Sequence, residues 1–483
     1  MQENIRSQAV NGVVWSGVER FATQGVQFVI EIFMARILVP ADYGMIGMLA
    51  IFMAIARTLI DSGFSNALIQ KRNRTVDDYS TIFYFNLVIS LLIYAILYLS
   101  APWIAAFYKL PELCAVTRVF SISLIISALS AVSRTILVIK IDFKKQARVS
   151  LIAAFISGSF GLWLAYSGYG VWALVWQAIA NASIQTILLF AMVKWWPSLT
   201  FSVSSFKSMF AFGSNLLISS LLSTLYNNLY TLVIGKKFAA VDLGYYTKSE
   251  QFVKFPTSNL TGVITRVSYP TLVKLRDDEA RMSVAYSKFL AVTSFIIFPM
   301  MIGLISIAKP LIVILITEEW LGMVLVFQIL CIDWMWDPMS QINLNLLLVK
   351  GKSNLILRIE IIKRLLSIAI LFGTLPFGLT VVCIGRAVYS FLAIYINSYY
   401  AGKYYPTLTF WKQMKIIFPY LIVSLIMGVI AYFVQMLFTA MWLKLLVAIT
   451  SGVIVYMALS YLFHLNALTE FVRIVKSHIN HEK

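Results

Sequence analysis

Polar side chains recur at helical spacing within stretches of the chain that are otherwise apolar. The first such stretch places five of them on one arc of about 80°, at 100° per residue: Ser16, Arg20, Gln24, Gln27 and Glu31. A charged side chain at the centre of a bilayer costs about 2.5–3.5 kcal/mol, so this stripe must face protein or water. Hydrogen bonding between helices is one use of such a stripe. The charges of Arg20 and Glu31 favour the other use, a polar cavity.

The later apolar stretches carry more cations than carboxylates, and this excess favours an anionic ligand. The candidate ligand-binding cations among them are Arg57, Lys254, Lys363 and Arg364. For Lys363 and Arg364, an equally good interpretation is snorkelling to the membrane surface, with Glu360 paired to Arg364 at i, i+4. Three more arginines, Arg118, Arg134 and Arg386, lie nearer the ends of their stretches, where a structural role is the stronger interpretation.

Two aspartates, Asp333 and Asp337, lie one helical turn apart near the middle of the tenth apolar stretch. They could neutralise the cations of the eighth stretch, such as Lys254. They could instead bind and release a proton or Na⁺, since two close carboxylates favour sharing a proton. Together with Glu31 they are the candidates for ion coupling, and no other cofactor is expected.

The elements that must position these residues are membrane-spanning helices. Of the 483 residues, 60% are hydrophobic and 12% are charged, and the mean hydropathy is +0.83. Apolar runs of about twenty residues, enough to cross a bilayer, recur about fourteen times. We therefore predict an all-α polytopic membrane protein. The sequence contains no pattern typical of a catalytic site. A metal site is not expected either, because Cys114, Cys331 and Cys383 all lie inside apolar runs.

Two sets of residues repeat at similar offsets and indicate a duplication. Asp42 and Gly44 return as Asp242 and Gly244, each pair between two apolar runs. The second set, Lys140, Arg148 and Gly168, returns as Lys350, Arg358 and Gly378. The sequence therefore predicts two six-helix lobes, 1–205 and 206–405, followed by two further helices and an amphipathic cytoplasmic tail in 406–483. Duplicated bundles are typical of transporters whose halves rock about a central site.

The net charge is +18, and the distribution of the basic residues agrees with the predicted topology. Most lysines and arginines between the spans fall on one side if both termini are cytoplasmic, in agreement with the positive-inside rule. The positive charge therefore encodes orientation, and a nucleic-acid partner is not expected.

Several of these segments resemble a known family. The stretches that carry the resemblance are Gly12–Gly17, Ala35–Gly44, Asp61–Gln70 and Lys140–Lys145. They are similar to the Wzx-type polysaccharide exporters of the multidrug/oligosaccharidyl-lipid/polysaccharide (MOP) flippase superfamily, particularly the colanic-acid and teichuronic-acid branch.

The resemblance implies a flippase of the bacterial inner membrane that moves undecaprenyl-diphosphate-linked oligosaccharides outward for capsule, exopolysaccharide or O-antigen assembly. Its partners would be the lipid-linked substrate, the membrane lipids and the polysaccharide polymerase machinery. Superfamily members that flip cell-wall precursors carry basic residues on spans 1, 2 and 8, where this chain has Arg20, Arg57 and Lys254.

Two other functions compete with this one. A MATE-like exporter of small molecules belongs to the same superfamily, but such exporters usually have twelve spans and acidic cavities. A membrane polysaccharide polymerase would use the same lipid-linked substrate. It would typically carry a large outer loop with Arg and His, whereas the predicted outer loops here are short and lack histidine.

Overall fold

Proline, aspartate and hydroxyl residues define where many of the helices begin. In the computed structural model, which describes residues 22–61, 63–71, 73–465 and 467, Thr75 and Asp78 form a reciprocal capping box at the start of one helix. Ser202 and Asp278 each accept a hydrogen bond from a backbone N–H three residues later, at two further helix starts. These caps lie between apolar runs, so the spans and their connections are encoded locally.

The chain divides into two compact units, Met1–Gly244 (unit 1) and Tyr245–Lys483 (unit 2). The described part of unit 1 contains these helices in chain order: Ala22–Ala35 (α1), Pro40–Asp61 (α2), Phe64–Gln70 (α3), Val76–Tyr108 (α4), Glu112–Phe120 (α5), Ile122–Ile139 (α6), Phe143–Tyr166 (α7), Val171–Val193 (α8), Val203–Asn227 (α9) and Leu229–Lys237 (α10). Helix α7 packs along α8, and α8 packs along α6. The boundary at Gly244 falls inside the next helix, and the predicted lobes 1–205 and 206–405 stay a prediction.

Unit 2 begins within a long helix that carries most of the polar residues of the eighth predicted span. Its helices, in chain order, are Ala240–Lys274 (α11), Glu279–Ser306 (α12), Ala308–Ile316 (α13), Val324–Trp334 (α14), Asp337–Val349 (α15), Ser353–Thr374 (α16), Leu379–Tyr404 (α17), Phe410–Met436 (α18) and Met441–Leu462 (α19). Helix α18 packs against both α12 and α19.

The described residues contain ten helical segments that are long and apolar enough to cross a membrane. The bent pair Leu216–Asn227 and Leu229–Lys237 would make an eleventh. Of the remaining predicted spans, α1 is short within the described residues, and α11 and α16 carry several charged residues. The all-helical membrane architecture is confirmed, and the count of fourteen spans stays a prediction.

The repeated aspartate and glycine occupy equivalent positions at the starts of α2 and α11. Asp42 accepts a hydrogen bond from the backbone of Val39, and Asp242 accepts one from Ala239, both at 3.3 Å. A Cβ atom on Gly44 would lie 1.8 Å from the carbonyl oxygen of Ala240. A Cβ on Gly244 would lie 1.9 Å from that of Pro40. Both positions therefore require glycine, because two helix backbones cross there without room for a side chain.

Candidate functional site

The polar stripe of the first predicted span is described only in part. Ser16 and Arg20 lie outside the described residues. In α1, Gln24 is half-buried and Gln27 is exposed. Glu31 is half-buried and close enough to Tyr43 on α2 to interact with it electrostatically. Gln27 is therefore the described member of this stripe with the most accessible side chain.

Unit 1 places three charged side chains close together on α2 and α6. Arg57 and Asp61 are one turn apart on α2, and Arg134 comes from α6. Asp61 attracts both arginines electrostatically, and all three side chains are exposed. The structure thus brings predicted Arg57 together with Arg134, for which the sequence favoured a purely structural role.

A chain of hydrogen bonds leads from Arg134 through neutral side chains and connects three helices. Its Nη2 donates to Oε1 of Gln185 on α8, at 2.7 Å. Nε2 of Gln185 donates to Oδ1 of Asn181 at 2.7 Å, and Nδ2 of Asn181 donates to Oγ of Ser157 on α7, at 3.0 Å. The Ser157 side chain is buried, and its hydroxyl donates to the Ala154 carbonyl at 3.4 Å. We call Gln185, Asn181 and Ser157 the amide relay.

Unit 2 contains a cation of a different kind, Arg386 on α17. Its guanidinium lies 2.7 Å from a carboxylate oxygen of Asp333 on α14 and 2.8 Å from one of Glu250 on α11. It also donates to the Tyr246 hydroxyl, and Ser390 donates to Asp333. The side chains of Asp333 and Arg386 are only 5% and 14% exposed. We call this the Arg386 cluster, and it joins three helices of unit 2 through charge-assisted hydrogen bonds.

The two predicted coupling aspartates lie on either side of a short break in the helix. Helix α14 ends at Trp334 and α15 begins at Asp337, so the helix is interrupted between Asp333 and Asp337. Asp333 pairs with Arg386, which belongs to the twelfth predicted span, whereas the sequence suggested a cation of the eighth. Asp337 accepts hydrogen bonds from Thr261 at 3.3 Å and from Gln341 at 3.5 Å.

Two lysines, Lys254 on α11 and Lys363 on α16, lie near Asp337. Lys254 is exposed, with its Nζ 5.5 Å from the centre of the Trp334 ring. Lys254 and Lys363 both attract Asp337 electrostatically. Lys363 is buried and pairs with Glu360 at 2.5 Å. The carboxylate of Glu360 therefore forms an i, i+3 ion pair with Lys363. The sequence suggested an i, i+4 pair of Glu360 with Arg364. The Arg364 side chain is half-buried and has interactions of its own.

The described residues contain no group of three or more His, Cys, Asp and Glu that could hold a metal ion. The arrangement offers cations and amides held on membrane helices, which can bind an anion or a polyhydroxylated group. Sequence reasoning missed the amide relay and the hydroxyls of Tyr246 and Ser390. The spacing of four residues between Asn181 and Gln185 was a usable signal, since it puts two amides on one face of α8.

The fold and the polar clusters inside its apolar helices define a polytopic membrane protein. Residues 33–325, more than half of the chain, match the family described as polysaccharide biosynthesis protein. The chain belongs to this family. The resemblance stated from the sequence is therefore confirmed.

Two relatives and one solved structure show how far the likeness extends. The chain is 26% identical to the teichuronic acid biosynthesis protein TuaB of Bacillus subtilis (strain 168) over 73% of each chain. It is 24% identical to the lipopolysaccharide biosynthesis protein WzxC of Escherichia coli (strain K12), over 88% of this chain and 89% of that one. Its fold is similar to that of the lipid II flippase MurJ in an inward closed conformation, with a TM-score of 0.76. That match is 15% identical and covers 94% of this chain and 100% of the other.

Proposed function

We propose that this polysaccharide-biosynthesis flippase translocates polyprenyl-diphosphate-linked oligosaccharide units across the bacterial inner membrane, from the cytoplasmic to the outer leaflet. A diphosphate with a glycan cannot cross about 30 Å of hydrocarbon unaided, whereas its polyprenyl tail can stay in lipid throughout. A transporter for it needs cations and hydrogen-bonding groups inside the membrane, and alternating access would expose them to each face in turn.

The observation that supports this proposal most directly is the exposure of Arg57 and Arg134 on apolar helices of unit 1. Exposed arginines on membrane helices are costly unless they meet water or an anionic ligand. In this proposal, Arg20, Arg57 and Lys254 bind the diphosphate. Gln24, Gln27, Lys363 and Arg364 are the further contacts to the headgroup, of which Gln27 is exposed.

We assign the outer and inner faces from the loop charges, with both termini cytoplasmic. Reporter fusions at Arg74, Lys145 and Lys352 should report the cytoplasmic side, and a fusion at Ser167 the opposite side. Partners beyond the substrate, such as a polysaccharide polymerase, belong to the same proposal, since the exported unit must next be joined to others.

We also propose that an ion gradient drives the cycle through Asp337 or Glu31, since Asp333 is already neutralised by Arg386. Asp337 accepts hydrogen bonds from neutral donors, and its protonation would remove its electrostatic attraction to Lys254 and Lys363. Asp337→Asn should abolish transport that depends on the proton gradient while substrate binding in detergent survives. Uncoupler-sensitive transport at the wild-type rate by this variant would exclude Asp337 from coupling.

The test of the function is the position of the substrate in cells. Deletion should make lipid-linked oligosaccharide accumulate on the cytoplasmic leaflet, and the wild-type chain should reverse this. Arg57→Ala should fail to reverse it at normal protein abundance, because a charge-assisted contact to phosphate is worth about 1.5–3 kcal/mol. Arg118→Ala is the matched control, since Arg118 donates to the Tyr98 carbonyl at 3.3 Å and lies over the Tyr98 ring. Unchanged substrate distribution in the deletion strain would refute the function.

A further inference from the structure

The way Arg134 is held sets it apart from an arginine that only joins helices. The partner that fixes its guanidinium is the neutral oxygen of Gln185. Gln185 is itself oriented, because its nitrogen donates to Asn181, which in turn donates to buried Ser157. Each amide accepts on its oxygen and donates from its nitrogen, so the relay has one direction and ends at a hydroxyl. It therefore fixes the position of Arg134 without cancelling its charge.

The position of Arg134 along its helix suits a headgroup that enters from one membrane face. Arg134 lies five residues before the end of α6 at Ile139, which is about 8 Å at 1.5 Å per residue. Lys140, Lys144 and Lys145 follow beyond that end. An anion attracted by these lysines would meet Arg134 as the next cation inward on α6.

Two charged residues lie near Arg134: a second cation, Arg57, and a carboxylate, Asp61. Arg57 on α2 is exposed and lies close enough to interact electrostatically with Arg134. Asp61 attracts both arginines and is itself exposed. One carboxylate lies within electrostatic range of two guanidinium groups here, so the three side chains together carry one positive charge in excess. A diphosphate carries at least two negative charges and can accept paired N–H donors from each guanidinium.

We propose that Arg134 is a substrate-binding residue that grips the diphosphate of the lipid carrier together with Arg57, and that the amide relay is the device that positions it. This inference rests on the proposed function and extends it to a residue and a positioning network in unit 1. Gln185, Asn181 and Ser157 are positioning residues, since they act through Arg134.

The alternative is that the relay only joins α6, α7 and α8, as amides commonly do between membrane helices. One variant separates the two roles. Gln185→Glu keeps an oxygen for Arg134 to donate to, so α6 and α8 stay joined, and the donor it removes served Asn181 on the same helix. Its carboxylate neutralises the guanidinium. A joining role predicts unchanged ligand binding by this variant. The proposal predicts that binding is weakened while thermal stability is maintained.

The experiment measures binding of undecaprenyl diphosphate to the purified full-length chain in nanodiscs, by native mass spectrometry. Undecaprenyl monophosphate, phosphatidylglycerol and inorganic pyrophosphate are the competing probes. The wild type should prefer the diphosphate lipid to the monophosphate. Arg134→Ala and Gln185→Glu should each weaken diphosphate binding about tenfold or more and reduce that preference. Arg134→Lys should fall between, and Arg118→Ala should bind as the wild type does.

Wild-type affinity in both Arg134→Ala and Gln185→Glu would overturn the proposal. If Arg134→Ala fails to fold, the binding measured for Gln185→Glu tests the proposal alone. That variant retains a side-chain oxygen to which Arg134 can donate. Equal competition by phosphatidylglycerol would make this a general anionic-lipid site and would also overturn the proposal. Binding that depends on Arg134, in a protein that does not translocate the lipid, would support the proposed binding site and refute the proposed function. Translocation at the wild-type rate by both variants would leave the function and refute the site.

Discussion

Arg134 in unit 1 and Arg386 in unit 2 both lie on membrane helices, but the groups that hold them differ in charge. Arg134 is exposed and donates to a neutral amide. Arg386 is buried and contacts two carboxylates, Asp333 and Glu250. A cation that is held by neutral groups can still attract an anion, whereas one held by two carboxylates cannot. The partners of each charge in a membrane protein therefore predict more about its ligand than the number of charges does.

The largest effect should come from breaking the Arg386 cluster. Arg386→Leu leaves Asp333 and Glu250 without their cation, and an uncompensated buried charge costs about 3–5 kcal/mol. Protein abundance and the thermal unfolding temperature of the purified chain should both fall sharply. The triple variant Arg386→Leu, Asp333→Asn, Glu250→Gln should recover most of this loss. A stable single variant would mean that Arg386 is not held as a structural ion pair.

The repeated glycines test a place where the two copies of the duplicated motif behave alike. Gly44→Ala and Gly244→Ala should each destabilise the fold by about 1–3 kcal/mol, because the added Cβ would meet a backbone carbonyl of the other helix. Gly25→Ala is the control, since a Cβ there would have no neighbour within 4 Å. Thermal unfolding measures the effect. Unequal losses at the two glycines would show that the copies are not structurally equivalent.

The smallest effect on stability should come from the counter-charge of unit 1. Asp61 is exposed, and exposed ion pairs contribute about 0.2–1 kcal/mol. Asp61→Asn should therefore change thermal stability little, while the affinity for a diphosphate lipid rises because the arginines lose their counter-charge. A large drop in unfolding temperature would instead place Asp61 in the same structural role as Asp333.

Much of the fold follows from the sequence, because apolar runs and caps act locally. Asp42 and Asp242 indicated a repeat between apolar runs, and the structure gives them matching hydrogen bonds at two helix starts. The interruption between Asp333 and Asp337 was not predicted, although Pro338 in the first turn of α15 was a signal for a new helix start.

The candidate site was less predictable, because partners come from helices that are distant in the sequence. Nothing near Asp333 in the chain indicates that its cation is Arg386, since the pair depends on how α14 and α17 pack. Arg134 was given a structural role from its place near a helix end. Its relay became visible only when α6, α7 and α8 were seen together.

We propose that the exposed arginines of unit 1 bind the lipid diphosphate while it crosses the membrane. The direct measurement is the initial rate at which a labelled polyprenyl-diphosphate oligosaccharide changes leaflet in proteoliposomes of the purified chain. The wild type and Arg118→Ala should translocate it at equal rates. The double variant Arg57→Ala, Arg134→Ala should fall to the rate of protein-free vesicles while its unfolding temperature stays near that of the wild type. Translocation at the wild-type rate by this double variant would contradict the account.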